Sequence, residues 1–247
     1  MIKVEIQGMA ALQAHLAGMG KQVKFAAAVA LTRTAKAVMD EQQRLLPGEL
    51  DRPKPGTVRA MRTTKATRDN LTATVEFKKR GEGVPAAEFI GHNVSGGRRG
   101  MKRSEIMLRQ AGILPDGLYT IPGKEAKLDA YGNMSRGQIV SILSYFRTFG
   151  ATPLNTRRMN MTDKTRARMT KRRADYFVVP VHDRKAKLYP GIWKRNPDNT
   201  LAAVLMFVKP GQHKKLVKFH QTGERVVRRD FNKNFDRAFA DAMRSAR

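Results

Sequence analysis

Leu71-Thr72-Ala73-Thr74-Val75-Glu76-Phe77-Lys78 sets Leu71, Ala73, Val75 and Phe77 on one face and Thr72, Thr74, Glu76 and Lys78 on the other. Strict alternation is the period of a half-buried β-strand. Just upstream, residues 47–70 hold three prolines and six basic residues with little periodicity, and predict a loop. Before them, Val23, Ala27, Leu31, Ala35, Val38, Gln42 and Leu45 form a stripe at spacings of four and three. This predicts a long amphipathic helix over 21–46, stopped by Pro47-Gly48. Gly18-Met19-Gly20 separates it from a short helix over Met9 to Ala17. Residues 1–7 alternate Ile2, Val4 and Ile6 against Lys3, Glu5 and Gln7, a first strand ended by Gly8.

Downstream, residues 80–102 are glycine-rich and show no core face. Ser104 to Ala111 reads as one short helix closed by Gly112. Ser135-x-x-Gln138 is a capping-box pattern, in which each side chain satisfies an orphan amide at a helix start. Ile139, Ile142, Leu143 and Phe146 continue it as a helical stripe ended by Gly150. Tyr176 to Val181 and Leu201 to Val208 are β-rich apolar runs, the second nearly continuous, as in a central strand covered on both faces. Tyr189-Pro190-Gly191-Ile192-Trp193 reads as a turn into a short strand. A closing helix over 223–246 carries Val227, Phe231, Phe235, Ala238, Phe239 and Ala242 on one face. The plan is an α+β fold, an antiparallel sheet packed by long N-terminal and C-terminal helices, with a large loop-rich insertion. Residues 1–79 would supply the first part of the core, 80–173 the glycine-rich and basic insertion, and 174–247 the strands and helix that complete the core.

The 247 residues include 48 Lys and Arg against 21 Asp and Glu, a net charge of +27, with 41% hydrophobic residues and no cysteine. That apolar content can bury a core, so wholesale disorder is excluded. Without cysteine there is no disulfide scaffold, thiolate metal site or cysteine nucleophile. No stretch approaches the roughly 18 apolar residues of a membrane span, and the first residues show no signal-peptide core. A charge of this size attracts acidic partners of any kind and does not choose among them. It is densest at 151–173, where Arg157, Arg158, Lys164, Arg166, Arg168, Lys171, Arg172 and Arg173 face the single acid Asp163. These eight are the candidate contact residues, toward DNA or a neighbouring protein. The segment has no aromatic for base stacking, so its mode on nucleic acid is phosphate contact, which reads no sequence. It reads as an exposed arm.

Catalytic chemistry finds no support. His15, His92, His182, His213 and His220 form no H-x-x-x-H or H-E-x-x-H pattern, and a His213/His220 metal pair is a remote option. The acids are dispersed, Asp40-Glu41 being the closest pair, whereas a nuclease clusters carboxylates around magnesium. Phosphate-binding and nucleophile-elbow patterns fail at their required positions. No catalytic residue, metal or cofactor is expected, and the chain does not read as an enzyme.

Four places together resemble a family of tailed-bacteriophage proteins, the minor tail protein Z or tail-completion group. They are Ile2-Lys3-Val4-Glu5-Ile6-Gln7-Gly8 with the Ala-rich helix Phe25 to Val38; Ala130-Tyr131-Gly132-Asn133 before the Ser135 helix; Ala174-Asp175-Tyr176-Phe177-Val178 with Pro190-Gly191-Ile192-Trp193; and the terminal helix Arg225 to Arg247. The match rests on order and spacing over nearly the whole chain. It implies a tail-terminator-like α+β fold and a structural role in the virion, at the neck, enabling head-tail joining. The implied partners are other neck and tail proteins, such as the tail terminator and the head-tail connector. A homo-oligomeric ring is implied, six-fold being one option, around a passage for DNA, with assembly in the host cytoplasm and no membrane partner. The alternative from the residues alone is a free, sequence-nonspecific nucleic-acid-binding protein.

Overall fold

In the computed structural model the chain is described at 3–7 (backbone only), 20–79, 81–82, 85–148, 160–171, 175–181 and 187–245. The expected short helix over Met9 to Ala17 lies outside these residues. The fold is mixed α+β with antiparallel sheets, and the long N-terminal and C-terminal helices pack together. The chain divides into two compact units. The first comprises Met1–Arg99 and Gln212–Arg247, and the second Gly100–Gly211.

In the first unit, β1 (Lys3–Gln7), β2 (Met61–Thr64) and β3 (Thr72–Phe77) form an antiparallel sheet in the order β1-β3-β2. Val4 opposes Val75 and Arg62 opposes Glu76. The alternation over 71–78 thus falls on the central strand. Its polar face is buried too, because β2 supplies partners: Arg62 donates to Glu76 Oε1 at 2.6 and 2.9 Å, and the Thr74 and Thr64 hydroxyls bond at 2.9 Å. The loop expected over 47–70 holds β2 and a single turn, α2 (Pro55–Val58). β2 is four residues long, too short to show a period, and becomes a strand by pairing Met61 with Phe77.

The N-terminal helix α1 (Lys21–Glu49) runs past the expected stop and carries Pro47 in its last turn. There the missing amide removes one bond, and Leu50 N closes the helix on Leu46 O at 3.1 Å. Its stripe reaches the core through Leu46 rather than Leu45. Helix α3 (Ala86–Ser95) corrects the expectation of no core face in 80–102, since Ala86 and Ile90 are buried at a spacing of four. The C-terminal helix, which becomes α7 below, spans Phe219–Ser245 and runs antiparallel to α1. Gln42 Nε2 donates to the Phe219 carbonyl at 2.7 Å, and Asn234 Nδ2 to Thr34 Oγ1 at 3.0 Å. Its buried positions are Phe219, Thr222, Gly223, Val226, Ala238 and Ala242. Phe231 and Phe235 are half-buried and Phe239 is exposed, which corrects the expected fully packed aromatic face. The three rings stack along the helix with centroids 6.3 and 6.1 Å apart.

The second unit holds α4 (Arg103–Gln110), β4 (Tyr119–Pro122), α5 (Arg136–Tyr145), α6 (Asp163–Lys171), β5 (Tyr176–Val179), β6 (Gly191–Arg195) and β7 (Leu201–Val208). C-terminal to them lies α7. The sheet order is β4-β7-β6-β5, all antiparallel. Residues 174–208 therefore do not complete the core of the terminal helices. β7 is hydrogen-bonded on both edges, to β4 and β6, and β3 on both of its edges, to β1 and β2. Neither central strand has an edge left for the other. The inserted unit is 100–211, where sequence reading set 80–173. Its core gathers Leu108, Leu114, Ile142, Tyr145, Tyr176, Ile192, Val204 and Phe207. Ser135 caps α5 by accepting from Gln138 N at 3.3 Å, but the Gln138 side chain instead bonds Lys127 N and Glu125 O. Half of the capping box forms. Among the described residues, no helix is long and apolar enough to cross a membrane.

Candidate functional site

Four of the eight basic candidates, Lys164, Arg166, Arg168 and Lys171, lie on α6. Arg157, Arg158, Arg172 and Arg173 lie outside the described residues. The start of α6 is built from local chemistry. Thr162 Oγ1 accepts from Thr165 N at 3.3 Å, Asp163 sits in the first turn against the positive end of the dipole, and it pairs with Arg147. Met161 N donates to Ser144 O at 2.9 Å and ties the entry to α5.

The expectation of an arm without a core stripe is corrected. Met161 and Met169 pack against the core of the second unit. Between them Arg166 lays its guanidinium carbon 5.1 Å from the Tyr145 ring centroid, a cation–π contact that turns this charge inward. Its Nε is buried with no hydrogen-bond partner. Met161, Thr165 and Met169 are four residues apart, a helical signal present in the sequence and masked by the surrounding charge.

With that face turned inward, Lys164, Arg168 and Lys171 are exposed at spacings of four and three. They form one stripe, about 10 Å long, the axial length of roughly three phosphates of one duplex strand. Arg168 and Lys171 occupy the last turn, where positive charge offsets the carbonyl end of the dipole. Among the described residues no carboxylate pairs with any of the three. The stripe can neutralise phosphates or meet acidic side chains.

Elsewhere several titratable groups have structural work. Glu105 is fully buried, accepting from Lys102 N at 2.7 Å, Thr120 N at 2.8 Å and Thr120 Oγ1 at 3.0 Å, so it fastens α4 to β4. Glu41 is held below the usual carboxylate range, first by its hydrogen bond to Arg44. The His213 ring lies against His92 at a tilt of 59° with centroids 4.4 Å apart, whereas His220 lies against Phe219, so the His213/His220 pair is not formed. Burial, then His213 and Arg99, hold the His92 imidazole below its ordinary value. Among the described residues no group of three or more His, Cys, Asp or Glu could hold a metal ion. No family model matches the sequence, and no curated protein or solved structure matches it.

Proposed function

We propose that this chain is a structural protein of a tailed-bacteriophage virion, completing the head-proximal end of the tail as a subunit of a neck ring and enabling head-tail joining. The observation that carries the reading is the order of its elements. A first strand, a long Ala-rich helix and a closing basic helix build one antiparallel α+β core, in the sequence order in which the chain resembles the tail-completion family. Exposed Phe25, Phe239 and Met243 on the terminal helices, and the cationic stripe on α6, supply adaptable contact of the kind that protein interfaces use. Its partners are then neighbouring neck and tail proteins, with the DNA passage as a non-specific electrostatic neighbour. The test is genetic and compositional. The protein is expected in purified particles, and a null mutant is expected to accumulate separate filled heads and tails. Its absence from particles overturns the reading.

A second reading, a free nonspecific nucleic-acid-binding protein, is favoured by one observation, the Lys164, Arg168 and Lys171 stripe, which has no carboxylate partner among the described residues. It requires tight duplex binding by the isolated chain with a steep dependence on salt.

A further inference from the structure

On the first unit, the N-terminal half of α1 and the segment after β2 enclose a groove of about 480 Å³. Its floor is apolar, formed by Phe25, Ala28, Val29 and Ala66. Its rim is cationic, with Arg33 on the helix and Lys65 and Arg68 across from it. The shape is fixed by hydrogen bonds. Thr32 Oγ1 donates to Ala28 O at 2.8 Å and accepts from Ala66 N at 3.1 Å, which pins the far wall to the helix. Thr67 N donates to Asn70 O at 2.8 Å, and Asn70 N to Thr67 Oγ1 at 3.0 Å, closing a tight turn that presents Arg68. Arg68 reaches back over the Phe25 ring, 5.1 Å from its centroid.

We propose that this groove is a docking site for an acidic segment of a partner protein that inserts one large apolar side chain. The inference goes beyond the virion role and is independent of it. Charge complementarity sets the class of partner. Lys65 and Arg68 are exposed, and among the described residues neither has a carboxylate partner. Arg33 meets Asp241 only at 4.0 Å, with both side chains nearly half exposed. Three cations around an apolar floor call for carboxylates around an apolar anchor. Protein fits better than nucleic acid, because stacking successive bases needs several aromatic faces, and among the described residues the groove is lined by one ring beside aliphatic Ala28, Val29 and Ala66. Phe25, 40% exposed at the floor, is the pre-formed contact for the anchor.

The experiment titrates the full chain into a fluorescent peptide with one Phe set among glutamates and reads anisotropy. Controls are the same peptide with Ala for Phe, the same with Lys for Glu, and a single-stranded oligonucleotide. Binding of the acidic Phe peptide is expected to weaken about tenfold or more when Phe becomes Ala, and to vanish with the Lys peptide. Val29→Arg, which fills the floor, is expected to abolish it. Lys65→Glu with Arg68→Glu, both at exposed positions, is expected to weaken it at least tenfold. Circular dichroism checks that each variant is folded. Equal binding of the Ala peptide, or oligonucleotide binding lost with the same variants, overturns the proposal. So does a photocrosslinker at Val29 that couples to residues 8–19 of the same chain while the peptide fails to bind.

Discussion

Replacing Lys164, Arg168 and Lys171 together by Gln separates the uses of the α6 stripe. All three are exposed and among the described residues lack carboxylate partners, so each change should cost within about 0.5 kcal/mol apart from the helix dipole. Losing Arg168 and Lys171 from the last turn adds about 0.3–1 kcal/mol each at low salt. The inward side chains Met161, Arg166 and Met169 are untouched, and the triple variant should fold. If the stripe contacts duplex phosphates, three fewer released counterions lower the slope of log affinity against log salt by about 2.7. Across a fourfold rise in salt, the wild-type chain then loses roughly 40-fold more affinity than the variant. The assay is anisotropy on a nonspecific duplex over a salt series, beside counts of joined and unjoined particles. An unchanged slope refutes phosphate contact by α6. An unchanged slope with failed head-tail joining assigns the stripe to a protein face. If slope and joining are both unchanged, the stripe is an ordinary solvated helix face and both functional readings of it fall.

Phe219→Ala should cost about 3–5 kcal/mol, because its ring is 1% exposed and stands 5.1 Å from Phe77. Phe235→Ala, at a half-buried position, should cost about 1–2 kcal/mol, and equal shifts in the urea midpoint of helical circular dichroism would show the aromatic ridge to be fully packed. Gly191→Ala would drive a methyl onto the Leu205 carbonyl oxygen, so the fluorescence transition of Trp193, two residues along β6, should move to markedly lower denaturant; an unchanged midpoint contradicts the close β6–β7 approach. His92 has a folded-state pKa below its ordinary 6.5, so the unfolded chain takes up the proton first. Its contribution is then complete above pH 6.5 and lost as pH falls through that value toward the folded one. His92→Phe, which keeps a ring against His213, should remove that part of the acid sensitivity, and identical pH profiles for the two proteins would exclude His92 as its source.

The elements that the sequence displays are those long enough to repeat their period several times. Helix α1 shows its stripe over more than six turns, and β3 shows alternation because Thr72, Thr74 and Glu76 are polar although they end half-buried or buried. Their burial depends on Arg62 and Thr64, which lie in a strand of four residues that no period could reveal. Assignment of strands to sheets failed for a different reason. Burial pattern states that β7 is central but not which strands flank it, and its partners β4 and β6 were set by pairing across the inserted unit. On α7 the aromatic spacing was legible, while its degree of burial was not. The helix presents Val226, Ala238 and Ala242 to the core and turns Phe231, Phe235 and Phe239 toward its edge. The basic segment was legible as charge and illegible as a helix, since two methionines and one inward arginine fix its rotation.

Charge itself is distributed differently from its densest run. By sequence, the first unit has 27 Lys and Arg against 13 Asp and Glu, a net +14, and the second has 21 against 8, a net +13. The eight bases and one acid of 151–173 account for about half of the second unit's excess and none of the first's. An arm specialised for an acidic partner would leave the rest of the molecule near neutral. Here each compact unit carries its own excess, so attraction to polyanions belongs to both units. General attraction to polyanions therefore survives the loss of any one stripe, because the triple Gln variant still carries a net +24 against the native +27. Bare affinity for DNA is then a poor discriminator, for it sums charges from the whole chain. The salt slope counts only phosphates neutralised in contact, and peptide binding in the α1 groove depends on an apolar anchor that charge alone cannot replace. Those two quantities separate local recognition from a global field, and the packing of α6 and the hydrogen-bonded wall of the groove are what make each local.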